Sequence, residues 1–338
     1  LQVLGLVGNF NFIWPQILSS CFSIIDTISS LSPTSSLNGS IECYLRPSNM
    51  MIPVFNILVS IGFLLLILTL IVLLWIVIIP FLGLCQRRKN NKTNGDDKMS
   101  NYTKLIISII ALFYISYSSM TRTGLGIFNC ILYSGETSGR LANALDNKCF
   151  EGGHLKWVLS LGIPFTLIVV IGVPFIVWFI LYRNRGNLIN DRQVVARYGF
   201  LFAGYKIDYW YWEIVILTRK LSLVLLTVFL SSSSSYTQGL TALLIMFAAL
   251  CINLFFNPYE DQKLNNLESS GLVCSVLTIY LGLWTFEENN NLMISWIVTV
   301  LVVGMNTVWF AYVLLIIFGK YKTKIVKFVN KRSGSTSK

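Results

Sequence analysis

Residues 54–84, VFNILVSIGFLLLILTLIVLLWIVIIPFLGL, contain no charged side chain. About 20 consecutive apolar residues in a helix cross the roughly 30 Å hydrocarbon core of a bilayer. A stretch this long and this apolar has no stable place in a water-exposed domain, so the chain must be built around a membrane. The rest of the composition agrees: 54% of the residues are hydrophobic and 12% are charged, about half the charged share of a soluble domain.

Further apolar runs fall at about 103–120, 157–182, 210–230, 238–256, 269–286 and 292–318, giving seven spans with the first. A weaker run at 1–25 is broken by Asn9, Asn11, Trp14, Pro15 and Gln16. It crosses, dips in and returns, or lies in the interface. Charge sets the orientation. Residues 85–104 carry six Lys/Arg against two Asp, residues 183–209 carry five against two, and the tail 319–338 carries seven against none. The intervening loops differ: 26–51 has Arg46 as its one Lys/Arg, 231–237 is SSSSSYT, and 287–291 is EENNN. Cytoplasmic loops are the ones rich in Lys and Arg. The expected fold class is therefore an all-α polytopic membrane helical bundle with a cytoplasmic C-terminus, at the plasma, ciliary or another cell-surface membrane. Its parts are the N-terminal run 1–25, an extracellular loop 26–51, a seven-span bundle 52–318, and a basic cytoplasmic tail 319–338. Within the bundle, 121–156 is an extracellular loop, and 85–104 and 183–209 are basic cytoplasmic loops suited to an anionic inner leaflet.

Asn38, in the sequon Asn38-Gly39-Ser40, falls in a loop assigned to the outside, where glycosylation acts. Cys43, Cys130 and Cys149 also fall outside, and Cys130 and Cys149 share one loop that a bridge would close. Free thiols, or a bond to residues upstream, are the alternatives. His154, the single histidine, is expected to be solvated on that loop.

The stretch YKIDYWYWEIVILTRKL, Tyr205 to Leu221, sets charges in an apolar run. Tyr209, Trp210, Tyr211 and Trp212 suit the headgroup level, where a ring is half buried and half wet. The basic, mixed segment before them reads as interfacial and amphipathic, or as a solvated linker. Glu213 and Lys220 share a helix face but lie about 10.5 Å apart along the axis, too far for a direct pair. Charges at such depth face a bundle interior and find partners on other helices. Glu268 is a candidate for Arg219 or Lys220. The alternative is a helix whose first turns lie outside the lipid, with all its charges wet.

A resemblance emerges from these residues. RYGFLFAGYKIDYWYWEIVILTRKL, then a Ser-rich turn, then TQGLTALLIMFAALCINLFFNPYEDQKLNNLESSGLVCSVLTIYLGL, resembles the multi-span C-terminal region of large protist and algal cell-surface proteins. That region is similar to the TRP-like (transient receptor potential-like, flavin-carrier) family. LQVLGLVGNFNFIWP resembles its start. The matching elements are Trp212-Glu213, Arg219-Lys220, Asn257-Pro258-Tyr259, Asn266, Glu268 and Gly282-Leu283. The resemblance implies a helical bundle with a cation-channel or transport role, below a Cys-rich or repeat ectodomain. It departs from a tetrameric channel in one respect: EENNN joins the last two spans, too little chain for a filter of backbone carbonyls.

Glu287 and Glu288 could form an acidic cation mouth, or simply a polar turn. Pro164 and Pro174 interrupt the 157–182 run and could act as a hinge, although packed bundles often contain kinks. Asn253, Asn306 and Gln238 read as interhelical hydrogen bonders. Asn257-Pro258-Tyr259 is like the NPxxY of seven-span receptors but lies at an inner loop, which counts against a receptor. No metal-ligand pattern, cofactor, phosphate loop or nucleophile motif stands out, so neither an enzyme nor a nucleic-acid binder is expected. The expected function is a cation channel or transporter domain, able to work alone or as an oligomer. The alternatives are a non-conducting anchor for an upstream ectodomain or partner membrane subunits, and a seven-span receptor.

Overall fold

In lipid no water satisfies the backbone, so an apolar run closes its own hydrogen bonds as a helix. The computed structural model describes residues 16–30, 51–79, 101–132, 138–142, 144–186, 192–202, 204–231, 233–287 and 292–333, with Gly5, Gly8 and Gly135. Nine helices run through them: α1 (Gln16–Ser30), α2 (Ile52–Ile78), α3 (Asn101–Gly126), α4 (Gly152–Asn184), α5 (Arg192–Phe202), α6 (Trp212–Phe229), α7 (Ser235–Phe256), α8 (Gln262–Glu287) and α9 (Leu292–Ser333). Six of these, α2, α3, α4, α7, α8 and α9, are long and apolar enough to cross a membrane. The seven runs read from the sequence thus divide into six apolar helices and α6, which has the length but carries Glu213, Arg219 and Lys220. Asn38, Cys43, Glu288 and most of the 85–104 loop lie outside the described residues.

Burial separates α6 from the others. Ten of its 18 residues are buried, among them Leu217, Leu223 and Val224, against ten of 26 in α3, and it joins two core clusters. One cluster packs α6 on α7 and α8 through Met246 and Ile279. The other packs it on α3, α4 and α5 through Tyr117, Val177 and Leu201. The most hydropathic helix, α2, is instead fully buried only at Pro53, Val54 and Ile57, with Ile61 and Leu64 partly buried against the core. Helix α9 runs 42 residues, about 63 Å at 1.5 Å per residue, so the backbone of the basic tail continues the last span as helix to Ser333.

Helix α4 stays continuous through Pro164 and Pro174 by widening into π turns at Val158–Gly162 and Leu167–Gly172. Proline at 174 cannot donate to the carbonyl of Val170. The Tyr117 hydroxyl of α3 donates to that carbonyl instead, at 3.4 Å. The two helices cross closely at Gly124 and Gly162, where an added Cβ would meet Phe165 and Ile127 at 3.0 Å.

The segment between α3 and α4 corrects the all-α expectation. It carries an antiparallel three-stranded sheet of β1 (Cys130–Ile131), β2 (Arg140–Leu141) and β3 (Ala144–Lys148). Cys130 and Cys149 are bridged. Asn129 Nδ2 donates to Ser231 Oγ at 3.0 Å, tying this cap to the turn after α6. His154 is also corrected, being 1% exposed rather than solvated. Its Nδ1 accepts from the Phe150 N–H at 2.9 Å, which leaves Nε2 to donate to the Ile127 carbonyl at 3.1 Å. The histidine thus pins the cap to the end of α3.

At the N-terminal end, Leu18 and Phe22 of α1 pack on Val298 and Val302 of α9. Asp26 lies 3.7 Å from Arg122 near the end of α3. Gly5 sits against Asp26 and Gly8 against Phe22, contacts that run along α1 in reverse order.

Candidate functional site

The site is built where α6 starts. Helix α7 ends at Asn257, whose left-handed backbone (φ 42°) is one that Asn adopts readily, and Pro258 follows as a stop. The reversed chain is stitched to the loop before α6: Lys206 N–H donates to Pro258 O at 2.8 Å and Glu260 N–H to Gly204 O at 2.9 Å. Asn265, 2% exposed, clasps Tyr259, accepting from its N–H at 3.0 Å and donating to its carbonyl at 2.9 Å. This joint brings the rings of Tyr205 and Tyr259 together, tilted by 39° with centroids 4.9 Å apart.

From the joint, polar groups lead into the bundle. The Tyr205 hydroxyl donates to Glu213 Oε2 at 2.8 Å. Glu213 and Lys220 are each 6% exposed. The Lys220 ammonium sits 3.8 Å above the ring of Tyr114 on α3, a cation–π contact that strengthens when desolvated. Arg219 donates through Nη2 to Glu268 Oε1 of α8 at 2.9 Å, with side chains 15% and 27% exposed. The four charges named from the sequence are thus gathered among the helices, Glu213 and Lys220 buried by protein and Arg219 and Glu268 partly so. As expected, Glu213 and Lys220 do not pair directly; aromatic rings and hydroxyls serve them. Tyr205 and Tyr259, in the loops, hold their phenolic protons well above the ordinary range. Burial is the first cause, followed by the Glu213 charge for Tyr205 and the Glu268 charge for Tyr259.

The aromatic cluster is only partly an interfacial belt. Tyr211 is 36% exposed, and Trp210 is half-buried beside Tyr182 at 6.3 Å. Trp212, expected at the headgroups, is corrected: it is 4% exposed and packs against Tyr209 and Phe256 at 6.0 and 5.9 Å. Helix α5 realises the amphipathic reading, with Leu201 in the core and Phe200 edge-on to Tyr114 at 5.9 Å. Three residues of the site escaped sequence reading, namely Tyr114, Tyr205 as a carboxylate donor, and Asn265. Asn265 precedes the Asn266 of the resemblance and follows an Asn-Pro stop by seven positions, the one signal that pointed near it. Glu287 ends α8, and Pro164 and Pro174 lie on α4, away from this constellation. Asn253 and Asn306 bridge helices as expected, donating to Ser269 Oγ at 2.9 Å and Thr278 Oγ1 at 3.2 Å.

A groove of 660 Å³ opens beside the network between α4, α6 and α7, bounded by Trp178, Tyr211, Arg219, Ala248 and Asn253. A second, of 320 Å³, lies between α4 and α5 with Arg183 and Arg197 in its wall.

Cysteine repeat modular protein A of Toxoplasma gondii is 30% identical over 186 residues, which cover 51% of this chain and 6% of that protein. The chain therefore corresponds to a small part of the length of that relative. No solved structure matches. The pattern that defines the transient receptor potential (TRP) ion channel family matches residues 40–328, a span that holds the whole joint and all four charges of the network, so the chain belongs to the TRP ion channel family.

Proposed function

We propose that this chain is a TRP-type membrane domain that passes cations or a solute through its own helix bundle, with the α6 charge network at the pathway. The observation that carries the reading is the burial of Glu213 and Lys220, with Arg219 and Glu268 beside them, in helices otherwise apolar. Ionisable groups inside a membrane are costly and mark conduction or coupling sites. In this reading α6 crosses as a seventh span, shielded from lipid by its neighbours, and the Lys/Arg bias puts the C-terminus and the basic loops in the cytoplasm against an anionic leaflet. Any path is lined by side chains, since four residues separate α8 from α9. A hinge at the prolines of α4 would gate it, and no enzymatic step is part of the reading.

The reverse order of the Gly5 and Gly8 contacts along α1 supports a re-entrant N-terminal run opening to the outer side, where Asp26 meets Arg122. An upstream extracellular domain could then join without a further span. That arrangement also serves a second reading, a non-conducting anchor, favoured by the cysteine-repeat name and much greater length of the relative.

The deciding test is current across a planar bilayer holding purified protein under potassium and calcium gradients, beside Arg219→Ala/Lys220→Ala protein of verified fold. Cation-selective current altered by the variant supports the first reading. Silence from folded protein, with solute flux in liposomes also absent, leaves the anchor.

A further inference from the structure

Among the arginines whose side chains the structure describes, most have a partner. Arg219 bonds Glu268, Arg122 lies 3.7 Å from Asp26, Arg140 donates to the Leu145 carbonyl at 2.9 Å, and the Arg185 guanidinium lies over the Tyr182 ring, 4.6 Å from its centroid. Arg183 and Arg197 differ. Neither makes an ion pair or a hydrogen bond among the described residues, and Arg197, half-buried, encloses its Nε with no acceptor. These same two line the 320 Å³ cavity between the end of α4 and α5.

No Asp or Glu among the described residues lines that cavity, and the Asn184 amide in its wall is committed to the Ile180 carbonyl at 2.7 Å. A sphere of 320 Å³ is about 8.5 Å across, within a Debye length of about 8–10 Å, so two cations in its wall repel each other unless an anion lies between them. The last turn of α4 and the first turns of α5 meet there with opposite dipole ends, which leaves the side chains to set the sign of the site. A halide or a carboxylate brings one charge and leaves one guanidinium unanswered. A phosphomonoester brings about 1.5 to 2 negative charges at neutral pH and three acceptor oxygens, which guanidinium forks bind in pairs.

We propose that the cavity between α4 and α5 binds a phosphate group, held between the guanidiniums of Arg183 and Arg197. The group belongs to an anionic lipid, since the cavity lies at the end of an apolar helix long enough to cross a membrane, or to a soluble phosphomonoester. Holding it ties α5 to α4. Three positions beyond Arg197, Phe200 meets the ring of Tyr114 on which Lys220 sits, so the phosphate steadies one wall of the charge network. The site stands whether or not the domain conducts.

The test uses the full chain in phosphatidylcholine nanodiscs and phosphate-free buffer, with two probes: phosphatidic acid in the bilayer, counted by native mass spectrometry, and glycerol 3-phosphate in solution, followed by calorimetry. Saturable binding of at least one is expected. Arg183→Gln and Arg197→Gln should each weaken it about tenfold or more, the loss of a charge-assisted hydrogen bond. Arg185→Gln removes the same charge from a residue committed to a ring and should leave binding within about twofold. Val194→Glu sets a carboxylate in the cavity wall; it should abolish binding and raise the unfolding temperature in the absence of phosphate, a pair of effects that misfolding cannot produce. Phosphatidic acid bound much more tightly than glycerol 3-phosphate assigns the group to a lipid, and comparable binding assigns it to a soluble ester; both support the site. Failure of both probes to bind overturns it, as does an equal loss in Arg185→Gln or unchanged binding in Val194→Glu.

Discussion

Removing either partner of the Arg219–Glu268 pair should destabilise the bundle more than removing both. At 2.9 Å and an effective dielectric of about 20, the gross attraction is about 6 kcal/mol. Desolvation cancels much of it, and side chains 15% and 27% exposed keep some contact with the surroundings. Losing one member of a buried pair costs about 3–5 kcal/mol because the other charge is left uncompensated, which we discount to about 2–4 kcal/mol for this exposure. Replacing both by apolar residues of similar volume should cost no more than about 1 kcal/mol. The assay is a double-mutant cycle of Arg219→Met and Glu268→Met, measured by equilibrium unfolding in mixed micelles on titration with a denaturing detergent. A coupling energy of about 3 kcal/mol is expected, the upper end for residues in contact. Additive single effects, with coupling below about 0.5 kcal/mol, would refute the pairing and with it the placement of α6 against α8.

Tyr205→Phe should cost about 1.5–3 kcal/mol in the same assay, since it takes a hydrogen bond from a buried carboxylate, and Glu213→Gln combined with it should recover part of that loss. The pH dependence follows from the raised phenols. A group whose folded pKa lies above its unfolded value contributes fully below the unfolded value, about 10 for tyrosine, and the unfolded chain ionises first above it. Stability should therefore hold up to that pH and decline beyond, and absorbance titration should find Tyr205 and Tyr259 un-ionised until the protein unfolds, by comparison with their Phe variants. Cys130→Ser/Cys149→Ser should lower stability by about 3 kcal/mol from the lost closure of a loop of this size, read as the gap between native and reduced unfolding. His154→Ala should loosen the cap, read as faster amide exchange at Phe150 with α6 to α8 unaffected.

Membrane helices are legible because the signal is local: the hydrophobic content of a window decides whether it partitions into lipid. Residues 54–84 therefore read directly as a span, and α5 as amphipathic. The pairing of Arg219 with Glu268 was approachable from the cost of unpaired charge and the side of the membrane each occupies. The bridge between Cys130 and Cys149 was one of several open pairings. What partners Lys220 was not legible, because an aromatic ring on α3 carries no sign in its own sequence that marks it as a cation's seat. Trp212 and His154 were misplaced for a related reason. Both are residue types at home in a wet interface and in a core, and the choice belongs to neighbours such as Phe256 and Ile127, 44 and 27 positions away. The sequence by itself determined that the chain is built around a membrane, roughly where its apolar segments fall and where its unusual charges lie. Only the tertiary structure decided that α6 is wrapped by α3, α4, α5, α7 and α8, that two loops are laced into one joint, and that the charges find rings and carboxylates, since burial is set by elements distant in the chain.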